Sequence, residues 1–216
     1  MFNKISPLTR SFIVLSSLSV FLIFVRCYKT DSTFGLGLIW NLFLAGVPVF
    51  FALLSRRLVA KKTIATWILL ALWMLFLPNS YYIITDLGHL HHLPGEIWWF
   101  DSFIIFHTAF IGVLLAVYSL FVVHQTLEKL LTKALIWPAL GLSFLLSGFG
   151  IYLGRFLRFN SWDLFTNPLS LIKLSLFEVT NPLALKMSLL FGLAQLVIYF
   201  SFWIFKNSLY ETIKND

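Results

Sequence analysis

Runs of apolar residues give the first outline of this chain. Six stretches contain no Asp, Glu, Lys or Arg: Ser11 to Val25, Ser32 to Ser55, Thr63 to Thr85, Ser102 to Leu127, Ala134 to Gly154 and Met187 to Phe205. A helix that crosses a bilayer needs about 20 mainly apolar residues, and five of the six stretches hold 19 or more. The pattern predicts six spanning helices with short polar connections. The shortest stretch, 15 residues behind Lys4 and Arg10, also fits a secretory leader. No convincing small-x-small cleavage signal follows it, and Arg26 before Cys27 does not suit a lipoprotein site. The first helix is therefore expected to be uncleaved, starting near Pro7 with Arg10 reaching the interface.

Prolines and small residues refine the boundaries. Asn167-Pro168 and Asn181-Pro182 each put a capping side chain before a proline at the first helical position. They predict a short helix from Pro168 to Val179, interrupted by Ser170, Lys173 and Glu178 and lying in or near the outer interface, then a sixth span from Pro182. Pro48 and Pro138 fall inside spans, where a membrane helix tolerates them with a kink. In the fifth span Ser143, Ser147, Gly150 and Gly154 recur at spacings of four, three and four, which predicts a close-packing seam.

Composition agrees with this outline. The chain of 216 residues is 59% hydrophobic and 12% charged, with a mean hydropathy of +0.88. A soluble domain carries roughly 25% charged residues, so a water-facing surface could not be covered here. The expected fold is all-α, a polytopic transmembrane bundle of about six helices forming one integral membrane domain over residues 1–216. The formal net charge of +7 does not point to nucleic acid, because the basic residues are spread between apolar runs rather than gathered on one face. Their placement sets topology instead. With the termini cytoplasmic, ten Lys and Arg lie inside, including Arg56, Arg57, Lys61 and Lys62, against six outside. Cys27 is the single cysteine, which excludes an intrachain disulfide.

Two stretches depart from the Leu and Phe background, and both fall at outer helix ends. In the first, a helix continuing past Pro78 would bring Tyr82, Asp86, His89 and His92 to one face. An Asp and two His there could ligate a metal, or a carboxylate could orient an imidazole; a capping or interfacial role for most of these residues is the plainer reading. Asp101 follows Trp98 and Trp99 at the start of the fourth span, where it meets the helix dipole and could pair with Arg155 or Arg158. His107, deeper in that span, reads as a hydrogen-bonded histidine. In the second stretch Arg155, Arg158, Asn160, Trp162 and Asp163 cluster. Arginines on the outer side oppose the positive-inside trend. They could clamp a phosphate or carboxylate, or pair with Asp86, Asp101, Asp163 or lipid headgroups.

Leu77-Pro-Asn with Tyr82-Ile-Ile-Thr-Asp-Leu and His89-Leu, Trp-x-x-Asp ending at Asp101, and Gly-Arg-Phe-x-Arg-x-Asn-Ser-Trp-Asp ending at Asp163 resemble the bacterial membrane family called domain of unknown function 1361. Ser80 stands where that pattern has alanine. The resemblance implies a multi-pass bacterial plasma-membrane protein and brings no established activity. The expected function is an outward-facing polar site for an anionic or lipid headgroup substrate, with Asp86, His89 and Asp101 as catalytic candidates and Arg155, Arg158, Asn160, Trp162 and Asp163 as binding candidates. A transporter or channel component, or an assembly subunit without a site, are the alternatives. Membrane lipids are the expected partners, with a homo-oligomer or a membrane partner open; neither cofactor nor metal is assigned.

Overall fold

The computed structural model describes residues 6–31, 33, 35–92 and 97–215, with the backbone alone at 89–92, 214 and 215. Among them run α1 (Pro7–Thr30), α2 (Leu36–Leu58), α3 (Ile64–Tyr82), α4 (Trp98–Leu130), α5 (Lys133–Phe156), α6 (Asp163–Thr166), α7 (Pro168–Glu178) and α8 (Pro182–Asn215), with 3-10 segments Val59–Lys61 and Ile83–His92. No strand occurs among the described residues. Among the described residues six helical segments are long and apolar enough to cross a membrane: Pro7–Thr30, Leu36–Lys61, Ile64–Gly88, Trp98–Leu130, Lys133–Phe156 and Pro182–Ile213. The protein is an all-α, multi-pass membrane bundle.

Local chemistry accounts for the helix starts. At Pro7 the Ser6 hydroxyl accepts the Thr9 N–H at 3.1 Å, satisfying a donor that the helix leaves open. Asn181 does the same for α8, its side-chain oxygen accepting the Leu183 N–H at 2.9 Å. Asn167, expected to cap α7, makes no side-chain cap bond. The short α6 ends on the same residue, whose N–H returns to the Asp163 carbonyl at 2.8 Å, so α6 and α7 meet end to end.

A second departure concerns the residues after Pro78. The α-helix stops at Tyr82, and Ile83–His92 continues as a 3-10 helix of ten residues, far longer than the usual three or four. The Thr85 hydroxyl donates to the Tyr82 carbonyl at 2.6 Å, offering that group a partner outside the α pattern. At three residues per turn Tyr82 no longer falls in line with Asp86, so the four-residue face expected from α periodicity does not form.

Helix α4 is the most buried span and separates two apolar cores. One gathers Leu77, Leu120, Leu140, Phe144 and Tyr199 from α3, α4, α5 and α8. The other gathers Ile23, Ala45, Ile83, Ile104 and Ile111 from α1, α2, the long 3-10 segment and α4. Apolar faces gain little by leaving lipid for one another, so close backbone approach and polar bonds carry much of the specificity. Gly112 of α4 lies against the Ser80 carbonyl, where a Cβ would collide, and the Ser80 hydroxyl donates to Ala45 of α2 at 3.0 Å. Helix α5 meets two neighbours closely: Gly150 and Gly154 of the expected seam face Pro78 and Tyr82 of α3, while Gly148, not part of that seam, sits against Ser188 of α8.

Cross-links at one end of the bundle define its polarity. Arg26 near the end of α1 meets Asp101 at the start of α4, and Asp86 beyond α3 meets Arg155 at the end of α5. Tyr152 of α5 donates to Glu178, which also accepts from Asn181 before α8. The first residues of α1 and the last of α8 therefore point to the opposite end. The stretches singled out from sequence share the former end, called the site end below.

Candidate functional site

Three spans and one loop build a cavity of about 740 Å³ at the site end. Helices α2, α3 and α5 supply its walls, and the segment from Phe159 through α7 closes it on a fourth side. Close approach of α5 to α3 at Gly150 and Gly154 fixes the back of the space.

Its polar end carries charge. The Arg155 guanidinium approaches the Asp86 carboxylate with Nη1 to Oδ1 at 3.3 Å, and the two side chains are 22% and 15% exposed. Nη2 of Arg155 lies beside Gly88, 3.9 Å from where a Cβ would stand. On the other side of the carboxylate, Asn41 of α2 donates to Oδ2 of Asp86 at 3.3 Å. Tight charge-assisted bonds between nitrogen and oxygen run about 2.7–2.9 Å, so the contact that spans the wall is a stretched one. Tyr82 and Asn160 also border this end.

The remainder of the cavity is apolar. Leu44, Met74, Leu75, Phe149 and Leu153 line it, and it extends along α3 down to Ala71. From Tyr82 to Ala71 is about 16 Å of helix. Exposed Leu146, Ile172 and Leu176 are among the lining residues, so the cavity reaches the outer surface of the bundle between α5 and α7.

A set of polar bonds holds the fourth wall in place. Ser161 accepts from Asn79 of α3 at 2.8 Å and donates to the Leu75 carbonyl at 3.1 Å. Asp163 closes the turn before α6, with Oδ2 accepting the Asn160 N–H at 2.7 Å and Oδ1 the Thr166 hydroxyl at 3.2 Å. Trp162 stands edge-on to Trp40 of α2, their centroids 5.9 Å apart. Arg158 is exposed with φ at 59°, a left-handed turn that non-glycine residues adopt at a cost, and the Phe159 N–H reaches back over it to Leu153 at 3.2 Å.

The residues expected at the site thus separate. Asp86, Arg155 and Asn160 line the cavity, whereas Arg158 and Trp162 in the turn and Asp163 at the start of α6 are not among the lining residues. Asp101 lies elsewhere. Its two oxygens accept Nε and Nη2 of Arg26 at 2.9 and 3.1 Å in a buried fork, so neither Arg155 nor Arg158 is its partner in this fork. The side chains of His89 and His92 fall outside the described residues. Among those described, no three His, Cys, Asp or Glu side chains gather as metal donors. His107 is bonded through Nδ1 to the Ser19 hydroxyl at 2.7 Å.

Asn41, Asn79, Ser161 and Arg26 were not picked as site or partner residues from sequence. Asn41 carried the clearest signal, a carboxamide alone inside an apolar window. Arg26 carried one too, as an arginine at the end of an apolar window whose partner lay 75 residues away.

No curated protein and no solved structure matches the chain. The family described as protein of unknown function, DUF1361, matches residues 40–198. Every cavity-lining residue falls within that stretch, while α1 and Arg26 precede it. The chain belongs to the DUF1361 family of proteins of unknown function.

Proposed function

We propose that this protein is a lipid-binding membrane protein, a single domain whose cavity takes one phospholipid from the outer leaflet of a plasma membrane. In this reading both termini are cytoplasmic, following the excess of Lys and Arg at that end. The observation that carries it is the continuity of the cavity, from Asp86 and Arg155 at the polar end to Leu146, Ile172 and Leu176 at the surface of the bundle. About 16 Å of helix along the apolar part corresponds to roughly half a 30 Å hydrocarbon core, the depth of one leaflet. A headgroup would meet the charged pair while an acyl chain lies against Leu44, Met74 and Leu153. In lipid an ionisable pair facing a cavity is costly and marks a functional surface by default.

Filling the apolar part tests this. Ala71 is exposed and lines the cavity far from the charges, so Ala71→Trp removes acyl space with little effect on folding. Native mass spectrometry of the purified wild type should show one retained phospholipid, and Ala71→Trp should lose it. Equal retention by both proteins would refute the assignment.

A further inference from the structure

Resting on the lipid-binding reading above, we infer that the preferred headgroup is a zwitterion, a phosphate carrying a primary amine on a short tether, as in phosphatidylethanolamine. Asp86 and Arg155 face the cavity as neighbours of opposite charge, and among the described residues no further Lys, Arg, Asp or Glu lines it. Over the described residues the charges that line the cavity are therefore balanced, and the wall is strongly polarised. An anionic headgroup would satisfy Arg155 while setting its own charge against Asp86, a like-charge contact in a poorly solvated place. A zwitterion answers both groups. Its phosphate lies on the guanidinium fork, and its ammonium lies on the carboxylate.

The geometry favours insertion between the two. Their contact is 3.3 Å on one oxygen, whereas Arg26 grips Asp101 through two bonds at 2.9 and 3.1 Å. The stretched pair gives up less when a ligand parts it. A primary ammonium has three donors, and the Asp86 carboxylate, the Asn41 side-chain carbonyl and the Tyr82 hydroxyl are acceptors on residues that line the same end. A trimethylated ammonium offers none, so choline headgroups are the weaker fit.

The test incubates the full-length wild type with vesicles holding equal amounts of phosphatidylethanolamine, phosphatidylcholine and phosphatidylglycerol of identical chains, and native mass spectrometry counts which lipid is retained. Phosphatidylethanolamine should exceed each of the others by about tenfold, the worth of one charge-assisted hydrogen bond. Asp86→Asn should shift the preference to phosphatidylglycerol, and Arg155→Gln should weaken retention of all three. The wild-type competition decides by itself if a variant does not fold. Preference for phosphatidylglycerol, or no preference, with Ala71→Trp still emptying the cavity, would overturn the zwitterion and leave lipid binding standing. Equal retention of the ethanolamine and choline lipids would overturn the primary amine. Retention of no lipid would overturn both readings. Displacement of the lipid by glycerophosphoethanolamine, which has no chains, with Ala71→Trp binding that compound as well as wild type, would move the same chemistry to a soluble ligand and overturn the lipid source.

Discussion

Removing either partner of the Arg26–Asp101 pair should be among the most damaging single changes in the chain. Both residues are buried, at 8% and 2% exposure, and they meet through two bonds at 2.9 and 3.1 Å. Arg26 also donates to Thr30 at 2.9 Å. Asp101→Leu leaves a guanidinium enclosed between α1 and α4 with its main counter-charge gone. Breaking a buried pair from one side costs about 3–5 kcal/mol, which is roughly two to four powers of ten in the unfolding equilibrium. Arg26→Met should cost a similar amount through the stranded carboxylate. The double variant Arg26→Met/Asp101→Leu strands no charge, and apolar replacement of a whole buried pair is often nearly neutral. It should therefore lie closer to wild type than either single variant. Unfolding of the purified protein in mixed micelles with rising denaturing detergent, read by tryptophan fluorescence, measures all four proteins as a double-mutant cycle. Additive costs, with the double variant as unstable as the two singles summed, would refute the claim that the pair acts as a unit.

Other expectations concern packing, the fourth wall and topology. Gly150→Ala would set a Cβ 2.5 Å from Cγ of Pro78, whereas Gly141→Ala on the same helix meets nothing within 4 Å; the first should lose about 1–3 kcal/mol in the same assay and the second none. Tyr152→Phe removes the 2.7 Å bond that holds Glu178 at the end of α7, so hydrogen exchange should quicken across Pro168–Glu178 and stay unchanged in α4. Cys27 is the only cysteine, so a Cys27→Ser background allows single reporters. With the termini cytoplasmic, an impermeant maleimide should label Arg158→Cys in intact cells and Lys62→Cys only after permeabilisation; the reverse order would invert the topology.

The spans were legible because charge is scarce. Once 25 charged residues are distributed over 216, the long gaps between them can be little other than membrane helices, and proline after asparagine marked the starts at Pro168 and Pro182. The helix after Tyr82 was misread because α periodicity was carried past the last residue that obeys it, and local competition by Thr85 is invisible in a hydrophobic pattern. For the candidate site, the polar stretches of the sequence named Asp86, Arg155 and Asn160, which line the cavity. Pairing was not legible there. Arg155 had three candidate carboxylates and Asp101 two candidate arginines, and charge alone cannot choose among partners from different helices. The choice follows from helix order around α4, which places α1 beside Asp101 and α5 beside α3. Asn79 and Ser161 went unassigned for a related reason, since their role lies in joining two segments 82 residues apart.

The two carboxylate-guanidinium pairs differ in setting, and only Asp86 and Arg155 line the cavity. Helix α1 meets α4 through polar contacts at two levels, Ser19 with His107 and Thr108, and Arg26 with Asp101. Seven residues separate Ser19 from Arg26, about 10 Å of helix, and six to seven separate Asp101 from His107 and Thr108 on a helix running the other way. Both contacts therefore agree on a single register, which lipid-exposed apolar faces could not enforce by themselves. That task uses a buried fork with both carboxylate oxygens engaged. Asp86 and Arg155 lie where α3 changes its helical form, touch at 3.3 Å, and border 740 Å³ of open cavity. A pair that fixed α3 against α5 would close that distance, and Gly150 and Gly154 already bring these helices together. Close packing of α3 on α5 thus does not depend on this contact, which leaves the pair at the cavity wall, where the proposed headgroup would meet it.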